Sequence, residues 1–358
     1  MAPLRWGMVG CGEISNDFAS CLQSLPREEH QLVAAAASDK EKAKAFANDF
    51  GFQKHYGSYA ELAADPDVDT VYIGTINPNH YEICKMFLNH NKRILCEKPL
   101  TLKLEHTKEL IALAEQKKIF FQEAFWSRFF PLYKQLREDI KAKSVGEVKL
   151  VTAIFGIKMD ENPSAQRLVK KELGGGSLMD IGGYCTQAIL LAYGPEMPEN
   201  VQACAIMNKE GVDQSVTVTL QWKDGRMAQF ATTFFAKVPS ELKLYGEKGY
   251  ITVKHPFWSP TDMVVTEVKE IDKDERQQKY NFPLPKVEHK LEYPHGEGMT
   301  YEAQEVYQCI QKGLLESPLF THQESIVLAT IEDRIKKAIG LSYDELYVGQ
   351  GAPTTHPQ

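Results

Sequence analysis

Short apolar runs alternate with amphipathic stretches along the first third of the chain. Such runs are typical of buried strands, whereas apolar residues repeated every three or four positions indicate helices. The pattern predicts strands near 4–9, 31–37, 69–75, 92–96 and 119–123, and helices near 14–25, 40–50, 79–90 and 103–117. This alternation predicts an α/β fold with a doubly wound parallel sheet.

The pattern changes after Phe125. A helix near 128–142 and a long strand over 147–157 precede a glycine-rich turn and a further helix. Alternating apolar and polar positions then predict strands at 201–207, 214–222, 227–235, 241–245, 250–254 and 263–268. Asp224-Gly225 between two of these runs is typical of a hairpin turn. We therefore expect an open, mainly antiparallel sheet with helices on one face, then a polar loop at 285–298 and helices near 299–313 and 322–340.

A glycine turn joins the first predicted strand to the first predicted helix. In Gly10-Cys11-Gly12-Glu13-Ile14-Ser15 the first glycine permits a tight turn, and the second lets backbone approach a pyrophosphate at the helix N-terminus. Ser15 stands where a third glycine or alanine is usual. The strand before and the helix after are the context that supports dinucleotide binding in a Rossmann domain. The predicted cofactor contacts here are Gly10, Gly12, Glu13 and Ile14.

The end of the second predicted strand is where such domains recognise a ribose. Ala37 stands where NAD-binding sites carry a carboxylate, whereas Ser38, Lys40 and Lys42 can hold a 2′-phosphate. Asp39 has the opposite sign, although it can also cap the following helix. We therefore predict NADP as the cofactor in preference to NAD, with Ser38 and Lys42 as contacts.

Two further strand ends carry polar residues. Cys96-Glu97-Lys98-Pro99 ends a predicted strand, and ligands of open parallel sheets bind outside the carboxyl ends of strands. Thr75, Asn77 and His80 follow the preceding strand and begin a helix, so they are candidates to contact phosphate or ribose. Capping of that helix by Asn77 is the alternative. We predict that Thr75, Asn77, His80, Glu97 and Lys98 contact the cofactor.

A glycine run, Gly174–Gly176, precedes a helix on which Asp180 and Tyr184 share one face. Tyrosine and lysine both titrate near 10, so a base that works near pH 7 needs a neighbour that shifts it. We predict Tyr184 as the proton acceptor, Lys98 as the cation that lowers its pKa and binds the substrate oxygen, and Asp180 as a group that orients a second hydroxyl or Lys98. Lys98 as the acid or base is the alternative. Helix capping by Asp180 and simple packing of Tyr184 also stay open.

Composition narrows the function further. The 358 residues carry a net charge of −7, which argues against a nucleic acid or an anionic membrane as partner. No apolar run reaches the length of a membrane span, and no signal-peptide pattern opens the chain. Seven cysteines without a C-x-x-C pair favour reduced thiols and a cytoplasmic location. The histidines show no ligand spacing, so no metal is expected.

Four motifs together resemble the glucose–fructose oxidoreductase/inositol dehydrogenase superfamily. They are Gly10-Cys11-Gly12, Thr75–His80, Glu97-Lys98-Pro99 and Gly174–Gly182, within a resemblance that runs from about Leu4 to Leu341. Within the family, 123–131 and Tyr184 are most similar to the branch that oxidises trans-dihydrodiols of aromatic hydrocarbons to catechols with NADP. Most members carry a histidine at the position of Tyr184.

The resemblance also implies further roles and alternatives. It implies that Trp126 and Arg128 border the nicotinamide, and that Phe155, Trp258 and Tyr293 surround a substrate pocket whose aromatic wall suits flat diols. Because of related family members, the alternative functions are a D-xylose or other aldose 1-dehydrogenase and a reductase of dicarbonyls or keto-sugars. A non-catalytic NADP-binding regulator is the remote one.

We expect two domains and a mobile tail. Residues 1–124 should form the dinucleotide-binding domain, 125–345 an α+β domain for substrate binding and dimerisation, and 346–358 the tail. The alternating runs 214–222 and 227–235 would expose an apolar patch unless covered. The resemblance implies that a second copy covers it, giving a homodimer joined through the C-terminal sheet.

Overall fold

The computed structural model describes residues 2–159, 163–270 and 273–348. Within these residues the first sheet has six parallel strands in the order β3-β2-β1-β4-β5-β6. The strands are β1 (Leu4–Val9), β2 (His30–Ala36), β3 (Lys54–Tyr56), β4 (Thr70–Ile73), β5 (Arg93–Glu97) and β6 (Phe121–Ala124). Its helices are α1 (Glu13–Ser24), α2 (Lys40–Phe50), α3 (Tyr59–Ala64), α4 (His80–Asn89) and α5 (Leu104–Lys117). The predicted doubly wound fold is confirmed.

Two elements of this half were missed by the sequence analysis. Strand β3 has three residues, Lys54, His55 and Tyr56, and extends the sheet beyond β2. Helix α3 has six residues and begins at a cap, because Ser58 Oγ accepts a hydrogen bond from the N–H of Glu61. Both elements are too short to show a hydrophobic period.

The second sheet has eight strands in the described residues, in the order β14-β13-β12-β11-β7-β10-β9-β8. Strands β10 and β7 pair in parallel and the other neighbours are antiparallel, as predicted. The strands are β7 (Val148–Gly156), β8 (Asn200–Met207), β9 (Asp213–Gln221), β10 (Met227–Thr233), β11 (Leu242–Gly246), β12 (Gly249–Val253), β13 (Asp262–Glu270) and β14 (Lys273–Asn281). Strand β14 was not predicted, because its sequence is almost wholly polar; it is an edge strand paired only through β13.

Four longer helices complete the fold: α6 (Pro131–Lys141), α7 (Gly183–Tyr193), α8 (Met299–Gln311) and α9 (His322–Ile339). The helix predicted from residue 128 begins at Pro131, because Trp126–Phe129 forms a 3₁₀ turn. Helix α7 packs on β7, β10 and β11, whereas α9 contacts both β8 and α5 and so touches both sheets' layers. Asp344–Tyr347 is a 3₁₀ turn, and the mobility predicted for 346–358 falls almost entirely outside the described residues.

Most apolar side chains of the two runs 214–222 and 227–235 point inward, although Met227 and Phe235 are exposed. Val216, Val218 and Leu220 are buried, which corrects our reason for expecting an uncovered patch over 214–222. The cross-strand row Leu150, Tyr245 and Tyr250 lies on the opposite, open face and is only half-buried. The apolar part of that face therefore centres on β7, β11 and β12, and it continues onto β10 through the exposed Met227, the register partner of Leu150.

No helix among the described residues is long and apolar enough to cross a membrane. The same part of the chain contains no group of three or more His, Cys, Asp or Glu side chains that could hold a metal ion. The predicted candidates gather at the carboxyl ends of β1, β4 and β5, where the second domain meets the first sheet.

Candidate active site

The turn after β1 leaves room for a ligand in front of α1. Gly10 has a φ of +92°, and a Cβ added there would lie 2.9 Å from the Gly74 carbonyl oxygen. A Cβ added to Gly12 would meet no described atom within 4 Å. Thr75 Oγ1 and Ser15 Oγ are buried without a hydrogen-bond partner among the described residues. The free N–H groups at a helix start attract phosphate, so this turn fits the predicted dinucleotide.

The end of β2 presents the residues predicted to select the cofactor. Ser38 and Lys42 are exposed there. Asp39 caps α2 by accepting hydrogen bonds from the N–H groups two and three residues later, at 2.8 and 3.3 Å. The carboxylate that opposed a 2′-phosphate is therefore engaged as a helix cap. Lys42 also acts electrostatically on Cys11 in the glycine turn, where burial raises the pKa of the thiol to about 12.

The three predicted catalytic residues converge from distant parts of the chain. Lys98 follows β5, Asp180 lies in the π-helical turn Leu178–Gly182, and Tyr184 lies in the first turn of α7. Lys98 Nζ donates a hydrogen bond to the Asp180 carbonyl oxygen at 2.6 Å and lies 3.8 Å from Asp180 Oδ1. It also lies 5.0 Å from the ring centroid of Tyr184. A cation, a carboxylate and a phenol therefore share one site.

Asp180 stands between two cations. Burial would raise the pKa of Asp180, but the charges of Lys98 and Arg167 outweigh burial and hold that pKa below its usual value. Arg167 Nη2 lies 3.3 Å from Asp180 Oδ1. The sequence analysis missed Arg167, which lies in a 3₁₀ segment, Pro163–Val169, that neither a motif nor a hydrophobic period marks.

The Tyr184 hydroxyl is buried and already accepts one hydrogen bond. Trp126 Nε1–H donates to its oxygen at 2.8 Å, so the hydroxyl keeps its own proton available for another acceptor. Burial, and then the negative charge of Glu97, raise the pKa of Tyr184 well above its ordinary value, whereas the Trp126 hydrogen bond lowers it. The group that lowers the pKa of Tyr184 most is thus Trp126, whereas the sequence analysis expected Lys98 to do so.

Aromatic rings line one side of this cluster. Phe155 stacks on Trp258 with ring centroids 3.9 Å apart, and it lies 5.9 Å from the ring of Tyr184. Tyr293 comes from the loop before α8, and its hydroxyl donates to Glu13 Oε2 at 3.3 Å. Burial raises the pKa of Tyr293, whereas the charge of Arg167 lowers it. Tyr293 is therefore connected to the site by Arg167, which contacts Asp180.

Two other predicted cofactor residues hold loops of the site together. Asn77 Nδ2 donates to the Gly174 carbonyl oxygen at 3.1 Å, which ties the turn after β4 to the glycine run. The N-cap position of α4 is Asn79 and not Asn77, and no side-chain cap bond is seen there in the described chain. The two ring nitrogens of His80 lie 2.9 Å from the carbonyl oxygens of Pro99 and Thr75. His80 thereby fixes the loop that follows Lys98.

Glu97 and Arg128 are buried in hydrogen-bond networks. Glu97 accepts from the Tyr72 hydroxyl at 2.5 Å and from the N–H of Lys98 at 3.2 Å. Arg128 is 1 % exposed and bonds to Glu324 at 2.8 Å and to Gln187 through two nitrogens. The Arg128 charge, which the resemblance places beside the nicotinamide, thus joins the turn after β6 to α7 and α9.

Asp180 is not the cap of the helix that carries it. Asp213 Oδ2 accepts from the N–H of Leu178 and from the Ser177 hydroxyl, both at 2.7 Å. The buried Asp213 thus fixes the start of the π-helical turn. This leaves the Asp180 carboxylate to Lys98 and Arg167.

Solved structures with the same fold bind nucleotide cofactors. A 3-ketoreductase from Actinomadura kijaniata, in complex with NADP and TDP-benzene, superposes with a TM-score of 0.78 at 23% identity, covering 94% of this chain and 98% of that one. Levoglucosan dehydrogenase, in complex with NADH and levoglucosan, gives a TM-score of 0.82 at 20% identity, covering 94% and 97%. At these identities the likeness concerns the fold.

Sequence comparisons go further. Residues 4–125 match the model of an oxidoreductase family with an NAD-binding Rossmann fold, and 133–252 match the GFO/IDH/MocA C-terminal domain. The chain is 42% identical to trans-1,2-dihydrobenzene-1,2-diol dehydrogenase of Xenopus tropicalis, over 95% of this chain and 99% of the relative. It is 38% identical to the Homo sapiens protein of that name, over 96% and 98%. The chain therefore belongs to the GFO/IDH/MocA family of oxidoreductases.

Proposed function

We propose that this protein is an NADP-dependent dehydrogenase that oxidises trans-dihydrodiols of aromatic hydrocarbons to catechols. The observation that carries the proposal is the stacked pair Phe155 and Trp258 beside the cluster of Lys98, Asp180 and Tyr184. A flat, apolar ring fits against stacked aromatic side chains, and its two hydroxyls need polar partners at one edge. Relatives of that activity at about 40% identity support the same substrate class.

In the proposed reaction the diol loses a hydride from carbon and a proton from the attached hydroxyl, and the resulting ketone tautomerises to the catechol. When bound, NADP supplies the hydride acceptor. Tyr184 is the proposed proton acceptor, with the Trp126 N–H stabilising the developing phenolate. Because burial raises the pKa of Tyr184, we expect oxidation to accelerate toward alkaline pH.

Lys98 and Asp180 are proposed to orient the two hydroxyls. The Lys98 ammonium has donors beyond the one it gives to the Asp180 carbonyl, so it can bind the oxygen that loses its proton. The Asp180 carboxylate accepts a hydrogen bond from the second hydroxyl while Arg167 holds it in place. Proton acceptance by Lys98 itself is the alternative assignment.

The contacts around the glycine turn support a proposal for how the cofactor is held. The N-terminus of α1 and the unpartnered Thr75 hydroxyl are proposed to bind the pyrophosphate, and Ser38 and Lys42 the 2′-phosphate. Capping of α2 by Asp39 supports NADP over NAD, because that carboxylate is already satisfied by two backbone N–H groups.

A steady-state screen tests the proposed function. We expect benzene trans-dihydrodiol to give a kcat/KM at least about tenfold above D-xylose and other aldoses with NADP, followed by NADPH absorbance; the matched blank omits substrate. Reduction of dicarbonyls is measured in the same plate with NADPH. A preference for an aldose or a dicarbonyl over the dihydrodiol would replace the substrate class proposed here.

We also propose a homodimer in which the open faces of two second-domain sheets meet. The half-buried row of Leu150, Tyr245 and Tyr250 supplies apolar area at its centre, and the exposed Ile206 adds to it toward one edge. Light scattering at micromolar concentration should give twice the chain mass of 40.5 kDa. Tyr250→Lys should lower that mass, and a wild-type monomer would refute the dimer.

A cytoplasmic location is proposed on the cysteines. All seven lie in the described residues as free thiols, and all but Cys11 and Cys204 are buried. A reducing compartment suits such a set, because unpaired thiols persist there. Microscopy of the tagged full chain checks it, and secretion into the medium would contradict it.

A further inference from the structure

The loop that carries Lys98 is held from behind by buried polar side chains. Glu123 Oε1 on β6 accepts from the N–H of Leu100 at 2.8 Å, and Glu123 Oε2 accepts from the Ser325 hydroxyl on α9 at 2.6 Å. Lys336, also on α9, donates to the Leu102 carbonyl oxygen at 2.5 Å. Glu123, Ser325 and Lys336 are at most 7 % exposed. Helix α9 of the second domain thus reaches the backbone of the catalytic loop.

A second buried carboxyl, that of Glu332 on α9, lies beside Gly183, the residue before Tyr184. Glu332 is 3 % exposed, and its Oε1 has no hydrogen-bond partner in the described part of the chain. A Cβ added to Gly183, the residue before Tyr184, would lie 3.3 Å from that oxygen. Burying an unsatisfied carboxyl oxygen costs free energy. The position of this oxygen beside the residue that precedes Tyr184 therefore calls for a functional explanation.

Both carboxyls respond to the Lys98 charge. Burial raises the pKa of Glu332 to about 8, with Glu123 adding to the rise and the charges of Lys336 and Lys98 opposing it. Burial raises the pKa of Glu123 to about 7, whereas its hydrogen bonds and the Lys98 charge lower it. Each therefore gains or loses negative charge within the pH range of the reaction.

We propose that Glu123 and Glu332 are positioning residues of the active site: Glu123 fixes the loop that carries Lys98, and Glu332 supplies negative charge behind Lys98 and Tyr184. The inference rests on the proposed function, which places those two residues at the reacting hydroxyl. It extends the active site to α9, more than one hundred residues beyond Tyr184 in the sequence.

Several other titratable groups face Lys98 and Tyr184, and they remain when Glu332 is changed. Their elements are β5, the turn at 163–169, the π-helical turn, α4 and α8, and the groups are Glu97, Arg167, Asp180, His80 and Glu302. On α9 and after it, Lys336 and Tyr343 also feel the charge of Glu332. Removing one negative charge from this set makes proton loss by the others easier, whichever of Tyr184 and Lys98 is the base.

The test compares Glu332→Gln with wild type in the pH profile of kcat/KM for diol oxidation. We expect the limb that rises with pH to move to lower pH by on the order of one unit, as expected for one buried charge at a nearby site. Glu123→Gln should lower kcat by about tenfold through the loop it holds. Glu305→Gln is the matched control, because Glu305 is a buried carboxyl on α8 bonded to Ser317, and it should leave the limb in place.

A second measurement does not depend on the substrate. Competitive labelling with acetic anhydride, read at the Lys98 peptide by mass spectrometry, follows how reactive that amine is across pH. In Glu332→Gln its reactivity should rise at lower pH than in wild type; Glu332→Met serves if the Gln variant does not fold. An unmoved labelling curve would overturn the positioning role. If wild type does not oxidise the diol, but the labelling curve of Glu332→Gln is still shifted from that of wild type, the proposed substrate is contradicted and the positioning role is not.

Discussion

The cofactor turn and the catalytic cluster use opposite physical strategies. The cofactor turn at 10–14 offers backbone N–H groups and open space at Gly12, and the exposed side chains of Ser38 and Lys42 lie after the neighbouring strand β2. In the cluster, Asp180 and Tyr184 are 9 % and 7 % exposed and already bonded to protein groups. The first region presents backbone N–H groups to a ligand. The second has its geometry fixed in advance by contacts within the protein.

This difference teaches where a substitution should matter most. Charges at the exposed turn are screened by water and salt, so each contributes modestly to affinity. Charges in the buried cluster act through a lower effective dielectric, and the Asp180 carboxylate lies 3.8 Å from Lys98 and 3.3 Å from Arg167. Removing one buried group should therefore damage the reaction more than removing an exposed one damages cofactor choice.

The largest expected effect is that of Tyr184→Phe. The variant keeps the ring against Phe155 but removes the proposed proton acceptor, which is the oxygen bonded by Trp126. We expect kcat to fall by roughly 100- to 10,000-fold, the usual size of a general-base contribution. NADP affinity, measured by fluorescence titration, should hardly change.

Tyr133→Phe is the matched control, because Tyr133 is equally buried and its hydroxyl bonds to the Phe257 carbonyl rather than to a site residue. The result to watch is the pH profile of kcat/KM. If Tyr184→Phe mainly raises KM, with kcat within about tenfold and the limb unmoved, the proton goes to Lys98 instead.

A smaller effect is expected at the end of β2, beside the cofactor turn. Ser38→Ala and Lys42→Ala should each narrow the ratio of kcat/KM for NADP over NAD by about tenfold, since a charge-assisted bond to phosphate is lost. Lys44→Ala on the same helix is the control, because Lys44 lies near Glu41 instead. A wild-type enzyme that uses NAD as well as NADP would remove the basis of this comparison.

The regions differ in how much of them the sequence could reveal. The cofactor turn is local: Gly10 to Ile14 lie next to one another, and strand-turn-helix order was enough to place them. Lys98 was also predictable, because the end of a parallel strand points to the ligand edge of the sheet. Its convergence with Tyr184 came from the family resemblance and was not available from spacing.

The contacts that finish the cluster were not predictable, since they join residues far apart in sequence. The Trp126 bond to Tyr184 and the Arg167 contact with Asp180 depend on how the second domain packs on the first. Strand β14 was not predicted because its polar residues follow no alternation. The cap formed by Asp213 was not predicted because Asp213 lies on β9, far in sequence from the turn it caps. A hydrophobic period shows which side chains are buried, but it does not show which residues those side chains contact.

The smallest expected effect concerns the segment that joins the two regions. Asp17 on α1 accepts hydrogen bonds from the N–H groups of Glu292 and Tyr293 at 2.8 and 2.9 Å, and the Tyr293 side chain reaches Glu13. Asp17 is fully buried. Its carboxylate therefore anchors the loop before α8 to the cofactor helix.

Asp17→Asn keeps the size of the side chain but turns one acceptor into a donor that faces an N–H group. We expect the free energy of unfolding to fall by about 1–2 kcal/mol, the cost of one buried unsatisfied donor. KM for the diol should rise by no more than about threefold, because Tyr293 keeps its contact with Glu13. Urea unfolding measures the first and steady-state kinetics the second, with the exposed Asp49→Asn as control. A loss of kcat as large as that of Tyr184→Phe would mean that the loop, and not the buried cluster alone, sets the catalytic geometry.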